Sequence, residues 1–125
     1  MSQYVDGNTK TFTAGAAIGV NLRVYLSSGK LAAAGLTTRE WIGTLLEESF
    51  ADGDVRAVRL RSAAGTTKMV TADALTIGDP VFTQASGKVG DSESTGFYIG
   101  TALETVTTDG DTVEVLIATA PTVVS

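Results

Sequence analysis

The sequence has no cysteine and no histidine among its 125 residues. Without cysteine it can form no disulfide, thiolate metal site or cysteine nucleophile, and without histidine it lacks the usual general base. Proline occurs only twice, and no apolar run is long enough to cross a membrane. The first residues do not form a secretory signal. We therefore expect synthesis in the cytoplasm, with no cofactor, no metal ion and no membrane partner.

Charge is unevenly divided along the chain. The net charge is −5, yet residues 1–62 carry seven basic and six acidic side chains, whereas residues 63–125 carry two and eight. An acidic chain without a basic tail is a poor candidate for nucleic-acid binding, because contacts to phosphates supply most of the non-specific affinity. We expect no nucleic-acid partner.

The chain contains an internal repeat. Residues 41–47, Trp-Ile-Gly-Thr-Leu-Leu-Glu, return 57 positions later as residues 98–104, Tyr-Ile-Gly-Thr-Ala-Leu-Glu. Two more pairs keep this offset within one residue, Asp52-Gly53-Asp54 with Asp109-Gly110-Asp111 and Ser28-Gly29-Lys30 with Ser86-Gly87-Lys88. We predict a single domain over residues 13–125, built from repeats at about 13–63 and 71–120. Because half a chain of this size is marginal alone, we expect the repeats to share one core.

Threonine, valine, alanine and glycine dominate, which favours short β-strands joined by tight turns. Val113, Val115 and Ile117 alternate with other residues, as on one face of a strand. Residues 38–50 are ambiguous, because their apolar spacing also fits a helix, but their copy at 97–106 is rich in strand formers. We predict a strand in both copies, with a helical turn in the first as the alternative. The expected fold class is all-β, a compact barrel or sandwich.

The short motifs admit functional and structural interpretations. Each Asp-Gly-Asp supplies oxygen ligands, but neither continues into the twelve-residue calcium loop, so turn formation is favoured. The Ser-Gly-Lys triplets lack the context of a phosphate-binding loop and also indicate turns. No acid, base and nucleophile converge in the pattern, so we do not expect an enzyme.

Candidate partner-binding residues lie in two places. Arg56, Arg59 and Arg61 surround the inward positions of a predicted strand, either as a solvated face or as a docking face for carboxylates. Alternation predicts that Arg59 and Arg61 are exposed. Residues 1–12 are polar and aperiodic, which indicates an extended N-terminal arm. Its candidate contacts are Gln3, Tyr4 and Phe12.

One further residue, Trp41, has two interpretations. It is the sole tryptophan and stands beside Ile42, with Leu45 nearby. These apolar neighbours favour a place in the core over a role as an exposed anchor for a partner.

The order of motifs in the second repeat resembles the capsid cement, or head decoration, proteins of tailed phages, including the lambda-type head decoration protein. The matching segments are Ile-Gly-Asp-Pro-Val at 77–81, Ser-Gly-Lys-Val at 86–89, residues 98–104 and the strand 109–117. The resemblance covers most of the chain from Thr13 onward.

This resemblance implies a β-tulip fold and homotrimers at threefold and quasi-threefold positions of an expanded shell. It also implies binding to the outer surface of the capsid, where the protein bridges subunits of the major capsid protein and an N-terminal arm becomes ordered. The alternative is another structural or adhesive β-module, such as a fibre-base or host-surface-binding domain.

Overall fold

The computed structural model describes residues 8–63, 65–91 and 96–118. These residues form ten strands and one short 3-10 turn, Ala85–Gly87, without an α-helix in the described ranges. The strands are β1 Thr9–Thr13, β2 Arg23–Ser27, β3 Lys30–Ala33, β4 Gly43–Leu45, β5 Val55–Leu60, β6 Thr67–Val70, β7 Pro80–Thr83, β8 Val89–Gly90, β9 Tyr98–Ala102 and β10 Thr112–Ile117. The prediction of an all-β fold is confirmed.

The two repeats adopt the same topology. Strands β1 to β5 form one sheet in the order β1-β5-β4-β2-β3, and β6 to β10 form the other in the order β6-β10-β9-β7-β8. All pairings between these strands are antiparallel. The sheets make a compact sandwich, so of the two architectures expected from the sequence it is the sandwich that forms, and not a closed barrel.

The repeated Ile-Gly-Thr motif has a structural cause. Gly43 pairs with Leu60, and its copy Gly100 pairs with Ile117, each at the same place in its sheet. A Cβ at Gly43 would collide with the carbonyl oxygen of Arg59, and a Cβ at Gly100 with that of Leu116. Only glycine allows the neighbouring strand to come this close.

The ambiguous segment at residues 38–50 contains strand and no helix. Strand β4 lies within it, and Trp41 precedes the strand with only 3% of its surface exposed. Tertiary pairing with β2 and β5 therefore prevails over the helical spacing of its apolar residues. The strand prediction and the core interpretation of Trp41 are confirmed.

The hydrophobic residues form two clusters rather than the one shared core that we expected. The first lies within the first repeat and comprises Ala14, Ile18, Val24, Leu31, Leu45 and Val58. The second is built on the second repeat but also includes Ala34 and Trp41 of the first. Each repeat has a cluster on its own sheet, and Ala34 and Trp41 extend from the first repeat into the cluster of the second.

The predicted arm overlaps the first sheet. Strand β1 pairs with β5 from Thr9 opposite Arg59 to Thr13 opposite Val55, so residues 9–12 are strand residues. Phe12 is half-buried and packs against the first cluster. Gln3 and Tyr4 lie outside the described residues. Within the described ranges, no helix has the length and hydrophobicity needed to cross a membrane.

Candidate functional site: the junction between the repeats

Arg23, the first residue of β2, connects the two repeats. Its side chain is fully buried. Nη2 donates to the carbonyl oxygens of Gln84 at 2.6 Å and Lys88 at 3.0 Å, and Nε donates to Lys88 at 3.2 Å. A longer bond of 3.4 Å reaches the carbonyl of Gly35. The guanidinium of the first repeat is thus held mainly by backbone carbonyls of the second.

The turn that offers these carbonyls depends on Gly87. This residue has φ of +77°, and its N–H donates to the carbonyl of Ala34 at 2.6 Å. A Cβ there would lie 2.9 Å from Cβ of Leu22. The equivalent Gly29 also has a positive φ but no atom within 4 Å of its Cβ position. The two turns therefore differ although their sequences are similar. The turn at Gly29 is exposed, and the turn at Gly87 packs against the first repeat.

The Arg23 charge is poorly compensated. Burial, and secondarily the positive charge of Arg61, lower the pKa of Arg23 to about 10. Nη1 is buried without a hydrogen-bond partner within the described part of the chain. A buried guanidinium ordinarily has a carboxylate or a full set of acceptors, because transfer from water is otherwise costly. The junction therefore carries excess positive charge.

Two further arginines lie over aromatic rings at this junction. The Arg61 guanidinium carbon is 4.3 Å from the centroid of the Trp41 ring, and that of Arg39 is 4.6 Å from the centroid of Phe97. Arg61 Nη1 donates to the carbonyl of Arg39 at 2.9 Å, which ties the two residues together. Partial burial lowers the pKa of Arg61. Cation–π contacts of this kind orient guanidinium groups and leave their edges available.

The three arginines singled out by the sequence contact different neighbours. Arg56 is half-buried, donates to the carbonyl of Glu48 at 2.7 Å and pairs with Asp54 at 3.4 Å. Arg59 is also half-buried, not exposed as expected, and its Nε donates to Thr67 Oγ1 at 3.3 Å. Arg61 is exposed at the level of the whole residue, as predicted. The contacts described for the three arginines differ, and Arg61 is the one that lies at the junction.

Sequence reasoning missed Arg23 and Arg39. One signal was present for Arg23, because a basic residue stands between Leu22 and Val24 where the second repeat has Pro80. Nothing in the sequence marks Arg39, since its partner Phe97 is 58 positions away.

The Asp-Gly-Asp motifs form turns, as predicted. Asp54 Oδ2 accepts from the N–H groups of Phe50 at 2.7 Å and Ala51 at 3.1 Å, and these bonds lower its pKa. In the second repeat Asp111 accepts from Thr108 at 3.1 Å. The first aspartates pair with lysines, Asp52 with Lys30 and Asp109 with Lys88, both at 2.9 Å. No group of three potential metal ligands is found in the ranges that the structure describes.

Large apolar side chains are exposed at several positions. Phe50 is the most exposed at 70%, followed by Ile77 at 62% and Val55 at 55%. The others are Leu116, Val20, Leu26, Leu46 and Tyr98. Exposed apolar side chains mark contact with a partner where they form one contiguous patch.

The family model described as phage cement protein matches residues 4–117. The match spans nearly the whole chain, so the chain belongs to the phage cement protein family, and the resemblance seen in the sequence is confirmed. It is therefore a structural protein of a bacteriophage, associated with the virion.

The solved structures that the chain is similar to include the head fiber gp8.5 N base in bacteriophage phi29. The TM-score is 0.70 at 16% sequence identity, over 88% of this chain and 92% of that chain. At this identity the similarity shows a shared fold. No curated protein matches the chain.

Proposed function

We propose that the protein binds the outer surface of a phage capsid and stabilises the expanded shell by bridging neighbouring subunits of the major capsid protein. The observation that carries this proposal is the family match over residues 4–117. The role is structural rather than catalytic, in keeping with that family.

The exposed apolar residues of the first repeat support a contact surface. Val20, Leu46, Phe50 and Val55 all belong to this repeat. Phe50 extends from a turn that Asp54 fixes by accepting from its N–H. An aromatic side chain on a rigid turn loses little conformational entropy on binding, which suits an anchor in a protein interface.

The proposal includes a homotrimer as the binding unit. A threefold assembly would bury apolar surface that a small β-domain leaves exposed. Light scattering on the purified protein and electron-microscopy density on capsids test whether it is a trimer. A monomer in both settings would overturn this part of the proposal while leaving capsid binding open.

Residues 1–12, with Gln3, Tyr4 and Phe12, are proposed to contact the shell as the arm, although residues 9–12 also pair in the sheet. Arg56, Arg59 and Arg61 are the other proposed contacts. The Arg59→Glu and Arg61→Glu double variant should bind shells more weakly and with altered salt dependence. If the folded double variant binds shells as well as wild type does, Arg59 and Arg61 belong to a solvated face and do not contact the shell.

Shells lacking the protein provide the direct test. Purified protein is added to expanded shells from a phage deleted for its gene, and bound protein is measured by co-sedimentation and located by electron microscopy. Occupied shells should carry density outside the shell at subunit junctions and should resist heating better than empty ones. Density confined to the tail or absent from the shell would contradict the proposal.

The second candidate is a base for a fibre or adhesive module. The similarity to the phi29 head fiber base, at TM-score 0.70, favours it. Virion maps separate the two, because a base leads into density extending away from the shell, whereas a cement protein ends at its own domain.

A further inference from the structure

Arg39 and Arg61 are held together at the exposed edge of the junction, and we call them the junction arginine pair. Both residues are exposed, and each lies over a ring, Phe97 for Arg39 and Trp41 for Arg61. The bond from Arg61 Nη1 to the Arg39 carbonyl links the two positions at 2.9 Å. Their orientations are thus set before any partner arrives, which lowers the entropic cost of binding.

No carboxylate neutralises the junction arginine pair within the described part of the chain. The ion pairs there are Lys30–Asp52, Arg56–Asp54 and Lys88–Asp109. The buried Arg23 lies near the pair, because its guanidinium carbon is 5.8 Å from the same Trp41 centroid that Arg61 approaches to 4.3 Å. Arg23 and Arg61 therefore place two positive charges beside one ring, and the bond from Arg61 to the Arg39 carbonyl connects Arg39 to them, in a chain of net charge −5.

An unpaired cluster of this kind suits an anion, and the chemistry indicates which one. Guanidinium edges bind a planar carboxylate through two parallel N–H···O bonds. Burial is the main cause of the lowered pKa of Arg23, and a carboxylate would offset the secondary cause, the repulsion between Arg61 and Arg23. A nucleic acid is disfavoured, because its many phosphates would meet the acidic remainder of the chain.

We propose that the junction arginine pair docks a carboxylate-bearing loop of the major capsid protein. The proposal rests on the function proposed above, and it assigns the contact to the boundary between the repeats. Both arginines belong to the first repeat, and Arg39 lies over Phe97 of the second, so the bound loop would lie at the boundary between the two repeats.

Arg39→Glu is the principal test, because among the described residues the Arg39 side chain contacts the Phe97 ring, and replacing it disturbs little else. Lys68→Glu is the matched control, since it makes the same charge change at an exposed residue of β6. Arg61→Gln removes the second member. Binding of each protein to shells lacking the wild-type protein is measured by co-sedimentation across a sodium chloride series, and thermal melting checks folding.

We expect Arg39→Glu to bind about tenfold or more weakly, with a shallower salt dependence, whereas Lys68→Glu stays within about threefold of wild type. Arg61→Gln should show a smaller loss of shell binding.

If wild-type protein binds shells and folded Arg39→Glu binds equally well, this inference is overturned while the proposed function stands. If wild-type protein does not bind shells, the proposed function itself fails. A loss shared equally by Lys68→Glu would reflect net charge and would also overturn the assignment.

Discussion

Arg23 and Gln84 are 61 positions apart in the chain, yet Arg23 Nη2 lies 2.6 Å from the carbonyl oxygen of Gln84. This bond joins the two repeats, because its donor lies in the first repeat and its acceptor in the second. The arginine comes from a strand of the first sheet, and the carbonyl comes from the turn region of the second. The sandwich is therefore held together by a buried polar contact as well as by Trp41 and Ala34.

Replacing Arg23 should destabilise the fold. Arg23→Ala would remove the guanidinium that donates to the carbonyls of Gln84 and Lys88 and would open a cavity, so we expect a loss of about 3 kcal/mol in the free energy of unfolding. Arg23→Lys keeps the charge but offers fewer fixed donors, so it should lower the free energy of unfolding by less than Arg23→Ala does. Denaturant unfolding measures both effects, with Arg39→Ala as the exposed control, expected within about 0.5 kcal/mol of wild type. An Arg23→Ala protein as stable as wild type would show that the junction does not depend on this side chain.

The two equivalent glycines, Gly43 and Gly100, should tolerate no side chain. Gly43→Ala and Gly100→Ala each place a methyl group against a neighbouring strand carbonyl, so each should cost more than about 2 kcal/mol through strand separation. Gly35→Ala is the control, because its nearest contact would be Thr38 Oγ1 at 3.4 Å. Melting temperatures of the three variants report the difference. Similar melting for Gly43→Ala and Gly35→Ala would contradict the close approach.

Stability should fall in acid partly through Asp54. Its pKa is lowered in the folded protein, chiefly by the N–H groups of Phe50 and Ala51. A carboxyl group with a lowered folded pKa contributes stability above its unfolded pKa of about 3.9, and this contribution disappears as pH falls through the folded value. Asp54→Asn should therefore melt lower than wild type at pH 7, with a smaller gap in strong acid. Melting curves from pH 7 downward test this, and a gap of constant size would exclude the mechanism.

Two N-terminal deletions should distinguish the role of the arm in shell binding from the role of strand β1 in stability. Deleting residues 2–7 leaves β1 in place, so we expect unchanged folding and weaker attachment to shells. Deleting residues 2–13 removes the whole β1–β5 ladder and the packing of Phe12, so it should lower stability by several kcal/mol. Melting and shell co-sedimentation of both variants provide the measurements. Full attachment after the shorter deletion would remove residues 2–7 from the binding mechanism.

Much of the fold was predictable because local signals and the repeat agreed. Alternating Val113, Val115 and Ile117 indicated the closing strand, and Asp-Gly-Asp indicated turns in both copies. The ambiguous segment at 38–50 was resolved by its copy at 97–106, since two repeats with the same strand order form equivalent elements. The family resemblance likewise came from the order of motifs rather than from any one of them.

The candidate site was predictable only in part. Arg61 was identified from its sequence position, but its place over Trp41 follows from the pairing of β5 with β4, which brings the end of β5 next to Trp41. Arg39 and Phe97 come from different repeats, and no local pattern reports their proximity. Ser28-Gly29 and Ser86-Gly87 have the same residues and similar backbone angles, yet only the second turn docks on the other repeat.

The sequence by itself determined the all-β class, the duplication, the turns and the absence of cysteine and histidine chemistry. Each of these depends on residue identity or short spacing, which act through local sterics and periodicity. The tertiary structure alone decided that there are two hydrophobic clusters, that Arg23 is buried against the carbonyls of Gln84 and Lys88, and that Arg39 and Arg61 adjoin one junction. Those features depend on how two similar sheets pack against each other, and that packing is set by contacts between residues distant in the sequence.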